Sequence, residues 1–226
     1  MKEALRLNEQ RGKTATIFIE ITIGSCLLNL SIGFLIAILL MHGGGKTGNF
    51  VMENYHKSVY YLTRFTTYLF LVAFISSIVT FIRWLRRAYY NLDVLTKECV
   101  YDDSWVAKVW FIPFLNLYRP YGLMKELYEK TDEYLFEQYM LSDTDEVYFE
   151  RLKAGILKWW WTVNILYVSV FTLELITPSM LFGLMGIGIF GLLKVGLLVL
   201  SGVLLISIIK SYQKAEKLIY AINQSV

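Results

Sequence analysis

The sequence predicts an all-α membrane protein: four transmembrane helices, with an interfacial, amphipathic segment on the cytoplasmic side between the second and third. Three observations carry the prediction. Four long apolar stretches are centred near Leu30, Val72, Tyr167 and Leu197. The composition is 56% hydrophobic and 18% charged over 226 residues, with a mean hydropathy of +0.47, which leaves too little polar surface to coat a soluble globule. Finally, Lys and Arg are segregated between alternate connections rather than scattered.

The spans are expected at about 17–41, 62–86, 157–177 and 181–209 in a single polytopic domain, with the cytoplasmic segment at about 87–156. About 20 apolar residues cross roughly 30 Å of hydrocarbon. Ile21 to Met41 and Phe65 to Ile82 do so without a charge. The third stretch, Trp159 to Ile176, carries Glu174 near its end, and the fourth, Leu181 to Ile209, contains Lys194. A central Lys costs about 3 kcal/mol and each apolar residue returns roughly 0.3–0.6. With 19 Leu, Ile, Val or Phe residues, the fourth stretch inserts despite its lysine. The first stretch is too long for a secretory signal and lacks a clear small-residue cleavage site, so it reads as a retained anchor.

Orientation follows from the short flanks. Lys2, Arg6, Arg11 and Lys13 precede the first span, and Lys210, Lys214 and Lys217 follow the fourth. Eleven of the 22 basic residues lie between the second and third spans: Arg83, Arg86, Arg87, Lys97, Lys108, Arg119, Lys125, Lys130, Arg151, Lys153 and Lys158. These three regions belong inside. The connection Gly43 to Tyr61, with Lys46 and Lys57, and the turn Thr177 to Met180 belong outside, so both termini are expected in the cytoplasm.

Beyond the second span the helix continues through Arg83-Trp84-Leu85-Arg86-Arg87-Ala88-Tyr89-Tyr90-Asn91-Leu92 without Gly or Pro. Arg83, Arg87 and Asn91 recur at a spacing of four and share a face. Such a belt holds a helix end at the headgroups; Arg87 and Asn91 also suit an anionic headgroup or a partner loop. From Trp105 to Pro120 the apolar run is too short to span, Lys108 interrupts it and Pro113 blocks a regular helix, which predicts a bent interfacial or re-entrant hairpin. Asn116 is expected to satisfy exposed backbone groups there.

Tyr121 to Tyr139 reads as an amphipathic helix, with Met124, Leu127, Tyr128, Thr131 and Leu135 on one side and Glu126, Glu129, Asp132, Glu133 and Glu137 mostly opposite. Asp143, followed three residues later by Glu146, predicts a further helix from about Thr144 running straight into the third span. Trp159-Trp160-Trp161 marks its interface.

The string Phe81 to Leu92, then Trp110-Phe111-Ile112-Pro113-Phe114-Leu115-Asn116-Leu117-Tyr118-Arg119-Pro120-Tyr121, resembles the bacterial integral membrane proteins grouped as domain-of-unknown-function family 4328. Trp159 to Trp161 and the basic final helix, Lys210 to Gln224, resemble it too. The resemblance implies a four-span bacterial membrane protein with a structured cytoplasmic loop, and the bacterial inner membrane is the expected location. It implies no reaction and no catalytic residue.

Charges within spans are expensive and point to function by default. Glu20, with Thr16, Gly24 and Ser31, is expected on a protein-facing stripe. Lys194 and Ser201 share a face of the fourth helix, and a hairpin around Pro178 allows Lys194 to pair with Glu174. Gly188, Gly191 and Gly202 offer close helix approach. His42, Glu53 and His56 in the outer connection form no short ligand motif, and Gly43-Gly44-Gly45-Lys46-Thr47 lacks the spacing of a phosphate loop. Cys26 and Cys99 lie in different regions and predict no disulfide.

No metal, cofactor or nucleic-acid partner is expected; membrane lipids, a protein partner or a second copy are. The leading expectation is a non-enzymatic scaffold or accessory protein whose interfacial platform comprises Arg83, Trp84, Arg87, Asn91, Trp110, Pro113, Asn116 and Pro120. A small oligomeric transporter or channel using Glu20, Glu174 and Lys194 is the first alternative. A membrane-interface enzyme acting on lipid or peptide, with Asn91, Asn116 and Asp102 or Asp103 brought together, is the second.

Overall fold

The computed structural model describes the backbone of residues 5–43, 49–101, 103–141, 152–176 and 179–224. Residues 44–48, 102, 142–151 and 177–178, and the side chains of His42, Glu53, His56 and Asp103, lie outside the described residues, and with them the expected turn around Pro178 and the expected helix start at Asp143. Among the described residues six α-helices follow in order: α1 (Glu9–Gly43), α2 (Asn49–Thr96), α3 (Asp103–Lys108), α4 (Arg119–Leu141), α5 (Gly155–Ile176) and α6 (Ser179–Gln224), with a 3₁₀ turn, Leu115–Leu117, before α4. Within α1, α2, α5 and α6 lie four segments long and apolar enough to cross a membrane.

These helices exceed a bilayer. At about 1.5 Å per residue, α2 and α6 each run roughly 70 Å, over twice the hydrocarbon thickness. The part of α2 after Arg83 and the part of α6 after Ile209 gather at one end of the bundle, with the start of α1 and all of α4. We call it the basic end. The core sits there: Trp84, Tyr89, Leu123, Met124, Tyr128, Ile208 and Tyr212 are fully buried. By contrast, only 11% to 28% of each apolar window is buried. Most of the remaining surface of the spans is apolar, as lipid requires, with Phe34, Leu35, Phe65, Val72, Leu175 and Ile189 among its exposed side chains.

Within the spans, hydroxyls are satisfied locally. Thr16 donates to the Gly12 carbonyl at 3.0 Å, Thr22 to Phe18 at 2.8 Å, Ser169 to Ile165 at 2.8 Å and Thr172 to Val168 at 2.8 Å. Such back-bonding lets polar residues sit in hydrocarbon without orphaned groups. Between α1 and α2 a polar pair crosses: Asn29 Nδ2 donates to the Thr66 carbonyl at 2.9 Å, and Thr66 Oγ1 donates to Asn29 Oδ1 at 2.9 Å. It locks α1 to α2.

α2 ends where Lys97 takes a left-handed conformation (φ 54°) and its N–H reaches the Asp93 carbonyl at 2.8 Å. α4 opens with Pro120 in its first turn, where the missing N–H costs no helical bond. Between them the chain bends around Pro113, leaving Phe111, Phe114, Leu117 and Tyr118 exposed. As the amphipathic pattern predicts, α4 buries Met124, Leu127, Tyr128, Thr131 and Leu135.

α1 begins at Glu9, about two turns before the expected span, and its first turns pack on α2 and α6 as part of the basic-end core. Three expectations need correction. α5 begins at Gly155 and does not continue a helix from Thr144: residues 152–153 are non-helical, and Asp132 accepts the Leu152 N–H at 2.8 Å. Asp132 is accordingly buried, not on the outer face of α4. Finally, Glu20, Gly24 and Ser31 face outward; the buried polar positions of α1 are Thr16, Thr22 and Ser25.

Candidate functional site

Three groups of polar or apolar features follow from this packing, and the most charged lies at the basic end. Arg83 and Arg87, one turn apart on α2, meet Arg6 from the chain entering α1 and Arg11 from its first turn. With Arg86 and Tyr90 they enclose a cavity of about 280 Å³. Arg83, Arg87, Arg86 and Arg6 all stand close enough to Arg11 to repel it. Like charges so placed stay together only if the backbone holds them.

Asn91 does much of that holding. It is 3% exposed, and its Nδ2 lies 2.8 Å from the Arg6 carbonyl, 3.1 Å from Glu216 Oε1 and 2.9 Å from the Tyr220 hydroxyl. Its Oδ1 accepts the Arg6 N–H at 3.0 Å. Tyr220 donates to the Arg6 carbonyl at 2.7 Å. Asn8 reaches the Trp84 carbonyl at 3.3 Å, and Gln213 the Glu9 carbonyl at 2.9 Å. Residues 6–9 are thereby stitched to α2 and α6.

The guanidinium groups are also fixed. Arg6 lies over the Tyr90 ring at 4.1 Å, and Arg11 Nη1 donates to the Arg83 carbonyl at 3.1 Å. Behind them Trp84 packs edge-on against Tyr212 at 5.7 Å, and Tyr128 bonds the Ile208 carbonyl at 2.6 Å and Ser211 at 2.8 Å. Gly12 permits this approach: a Cβ there would lie 3.1 Å from Trp84 Cδ1 and would displace the Gln213 amide.

A second feature is an apolar cavity of about 360 Å³ inside the spans, walled by Phe74, Phe81, Trp110, Trp160, Tyr167 and Leu198 among others. Among the described residues α2 and α5 share no extended contact, and the cavity lies between them. Ser201 donates to Asn164 Oδ1 at 3.1 Å, and Asn164 donates to the Trp160 carbonyl at 2.8 Å.

The third feature is charge within the spans. Lys194 on α6 pairs with Glu174 on α5. Glu20 sits 3.9 Å from Lys210, with both side chains more than half exposed.

Of the residues singled out from sequence, Arg83 and Arg87 border the arginine pocket, while Trp84 and Asn91 are buried behind it. Trp110 belongs to an aromatic cluster, 5.4 Å from Phe81 and 6.4 Å from Trp161. Pro113 and Asn116 are exposed on the bend, where Asn116 bonds Ile112 through its backbone N–H, and Pro120 is buried at the start of α4. These last four do not border the pocket. Arg6, Arg11, Tyr90, Glu216 and Tyr220 escaped the sequence reading as site residues. Arg6 and Arg11 stood out only as flank charges, and nothing local tells which helix they will meet.

Comparison with curated proteins and with solved structures returns no significant match in either set. Residues 58–214 match the domain of unknown function DUF4328. The matched region runs from α2 into α6, takes in Arg83 and Arg87 but not Arg6 or Arg11, and spans more than half of the chain. Four apolar helices and that match together make this multi-pass membrane protein a member of the DUF4328 family.

Proposed function

We propose that the protein is a non-enzymatic scaffold or accessory protein of the bacterial cytoplasmic membrane. Both termini face the cytoplasm, and its basic end is a binding platform for a lipid headgroup or protein partner. The observation that carries this reading is the arginine cluster mounted on a closed aromatic core, with its backbone held by Asn91. A rigid core behind an exposed charged face suits a surface that is bound, since little ordering is lost on association. The bias of Lys and Arg toward this end supports its cytoplasmic placement.

The reading as a transporter draws less support. Lys194 and Glu174 neutralise each other, and Glu20 lies on the outside of α1 beside Lys210. An enzyme built on Asn91 and Asn116 is also less favoured, because Asn91 is spent on Arg6 and α6 while Asn116 stands on the exposed bend.

A reporter fused after the last residue should be active in the cytoplasm and silent in the periplasm. Native purification with protein and lipid mass spectrometry then compares the wild type with Arg83→Ala/Arg87→Ala. Loss of a specific companion with membrane insertion intact is the expected result. Identical protein and lipid profiles for the two would overturn the platform.

A further inference from the structure

We infer that the arginine pocket is a phosphate-binding site, and that the phosphate it takes belongs to the headgroup of an anionic membrane lipid. This names the ligand of the platform and rests on that reading. Arg6, Arg11, Arg83 and Arg87 surround one cavity with the Tyr90 ring in its wall. Among the described residues none of these four guanidinium groups makes a direct ion-pair contact with a carboxylate; Glu216, buried behind the pocket, feels the charge of Arg87 without touching it, and one carboxyl does not offset four guanidinium groups. Charge so concentrated is left for an anion from outside the chain.

The pocket is built before the anion arrives. Arg6 is fixed through its backbone by Asn91 and through its guanidinium by Tyr90, and Arg11 spends one N–H on the Arg83 carbonyl. A guanidinium carries five donors in a planar fork, so Arg11 keeps donors for a ligand. Phosphate presents several acceptor oxygens to which such forks bind in pairs, and convergent guanidinium groups fit it better than a single carboxylate. Holding the groups in place beforehand lowers the ordering cost of binding.

A lipid source follows from what lies along the same face. Val79 and Ile75, one and two turns before Arg83 on α2, are exposed apolar residues, and Val72 continues the row. A headgroup in the pocket places its chains along that row.

The test uses the full-length protein in nanodiscs of phosphatidylcholine. Phosphatidylglycerol and phosphatidic acid are titrated in and bound lipid is counted by native mass spectrometry; in a parallel arm, inorganic phosphate is added to detergent-solubilised protein. Anionic lipid should bind at least about tenfold more tightly than phosphatidylcholine, and Arg83→Gln/Arg87→Gln should remove that preference. Arg6→Gln/Arg83→Gln, which alters two exposed side chains, should do the same and guards against misfolding. Lys125→Gln, which removes a charge elsewhere, should not.

Binding of inorganic phosphate without any lipid preference would keep the phosphate site and overturn its lipid source. Equal lipid binding by wild type and both arginine variants would overturn the site. If that result came with loss of a protein companion in the same variants, the platform would stand without the phosphate. Loss of lipid selectivity in the arginine variants with an unchanged companion profile would keep the phosphate site and remove a protein partner.

Discussion

Asn91 holds Arg6 as a neighbouring strand would, donating from Nδ2 to its carbonyl at 2.8 Å and accepting its N–H at 3.0 Å. The same amide reaches Glu216 and Tyr220 on α6, so one side chain joins three parts of the chain. Asn91→Ala leaves the Arg6 backbone and the buried Glu216 carboxylate short of partners. Each buried group so orphaned costs roughly 1–3 kcal/mol. Hydrogen exchange at residues 5–8 should accelerate by at least tenfold while exchange in the middle of the spans stays unchanged. Unaltered protection at Arg6 would show that the clamp contributes nothing to order.

The Glu174 and Lys194 pair joins α5 to α6, each partner flanked by apolar residues of its own helix. Losing one partner leaves the other charge uncompensated, which is worse than losing both. Glu174→Gln and Lys194→Met should each lower the midpoint of unfolding in detergent, and the double variant should recover part of the loss. The coupling expected for two groups in contact is about 0.5–3 kcal/mol. Strict additivity in the cycle would mean that the two charges do not stabilise each other.

The four spans, the extension of α2, the bend at Pro113 and the buried face of α4 were all legible, because length, proline geometry and amphipathic spacing act locally. The inward face of a span was not. Glu20, Gly24 and Ser31 looked like an interface, yet lipid is as apolar as leucine, so hydropathy does not distinguish the packed face of a span from the lipid face. The break before α5 was equally hidden: the Asp132 carboxylate that takes the Leu152 N–H lies 20 residues away. Arg83 and Arg87 were recognisable as one face, but their companions Arg6 and Arg11 arrive by long-range packing that depends on Gly12, Gln213 and Asn91.

Cys99 lies just after α2, half-buried beside Asp93 and Glu126. Burial pushes its thiol up to about 11, and the two carboxylates add to the shift because they disfavour a thiolate. Between pH 7 and 9 little thiolate is present, so alkylation by iodoacetamide should run well below the rate of a free thiol with its ordinary value near 8.5. The rate should climb as the pH approaches 11. Glu126→Gln removes one source of repulsion and should move the profile to lower pH; a profile with its midpoint near 8.5 in the wild type would refute the assignment.

Gly202 is where α6 meets α1. A Cβ at this position would lie 2.8 Å from Ile23 Cδ1 and 3.1 Å from its Cγ1, with Ile19 Cγ2 at 3.4 Å. Gly188 and Gly191, which sequence placed on the same arc, would meet nothing within 4 Å, so only Gly202 of the three serves a close approach. The contact atom on Ile23 is the end of a flexible chain, and Gly202→Ala should therefore be absorbed by a rotamer change at small cost. Gly202→Leu cannot be absorbed in that way and must wedge the helices apart. Overpacking of this kind costs about 1–3 kcal/mol. Unfolding in detergent should show a clear loss for Gly202→Leu, a slight one for Gly202→Ala and none for Gly191→Leu. Equal behaviour of the two leucine variants would mean that α1 does not rest on α6 at this point.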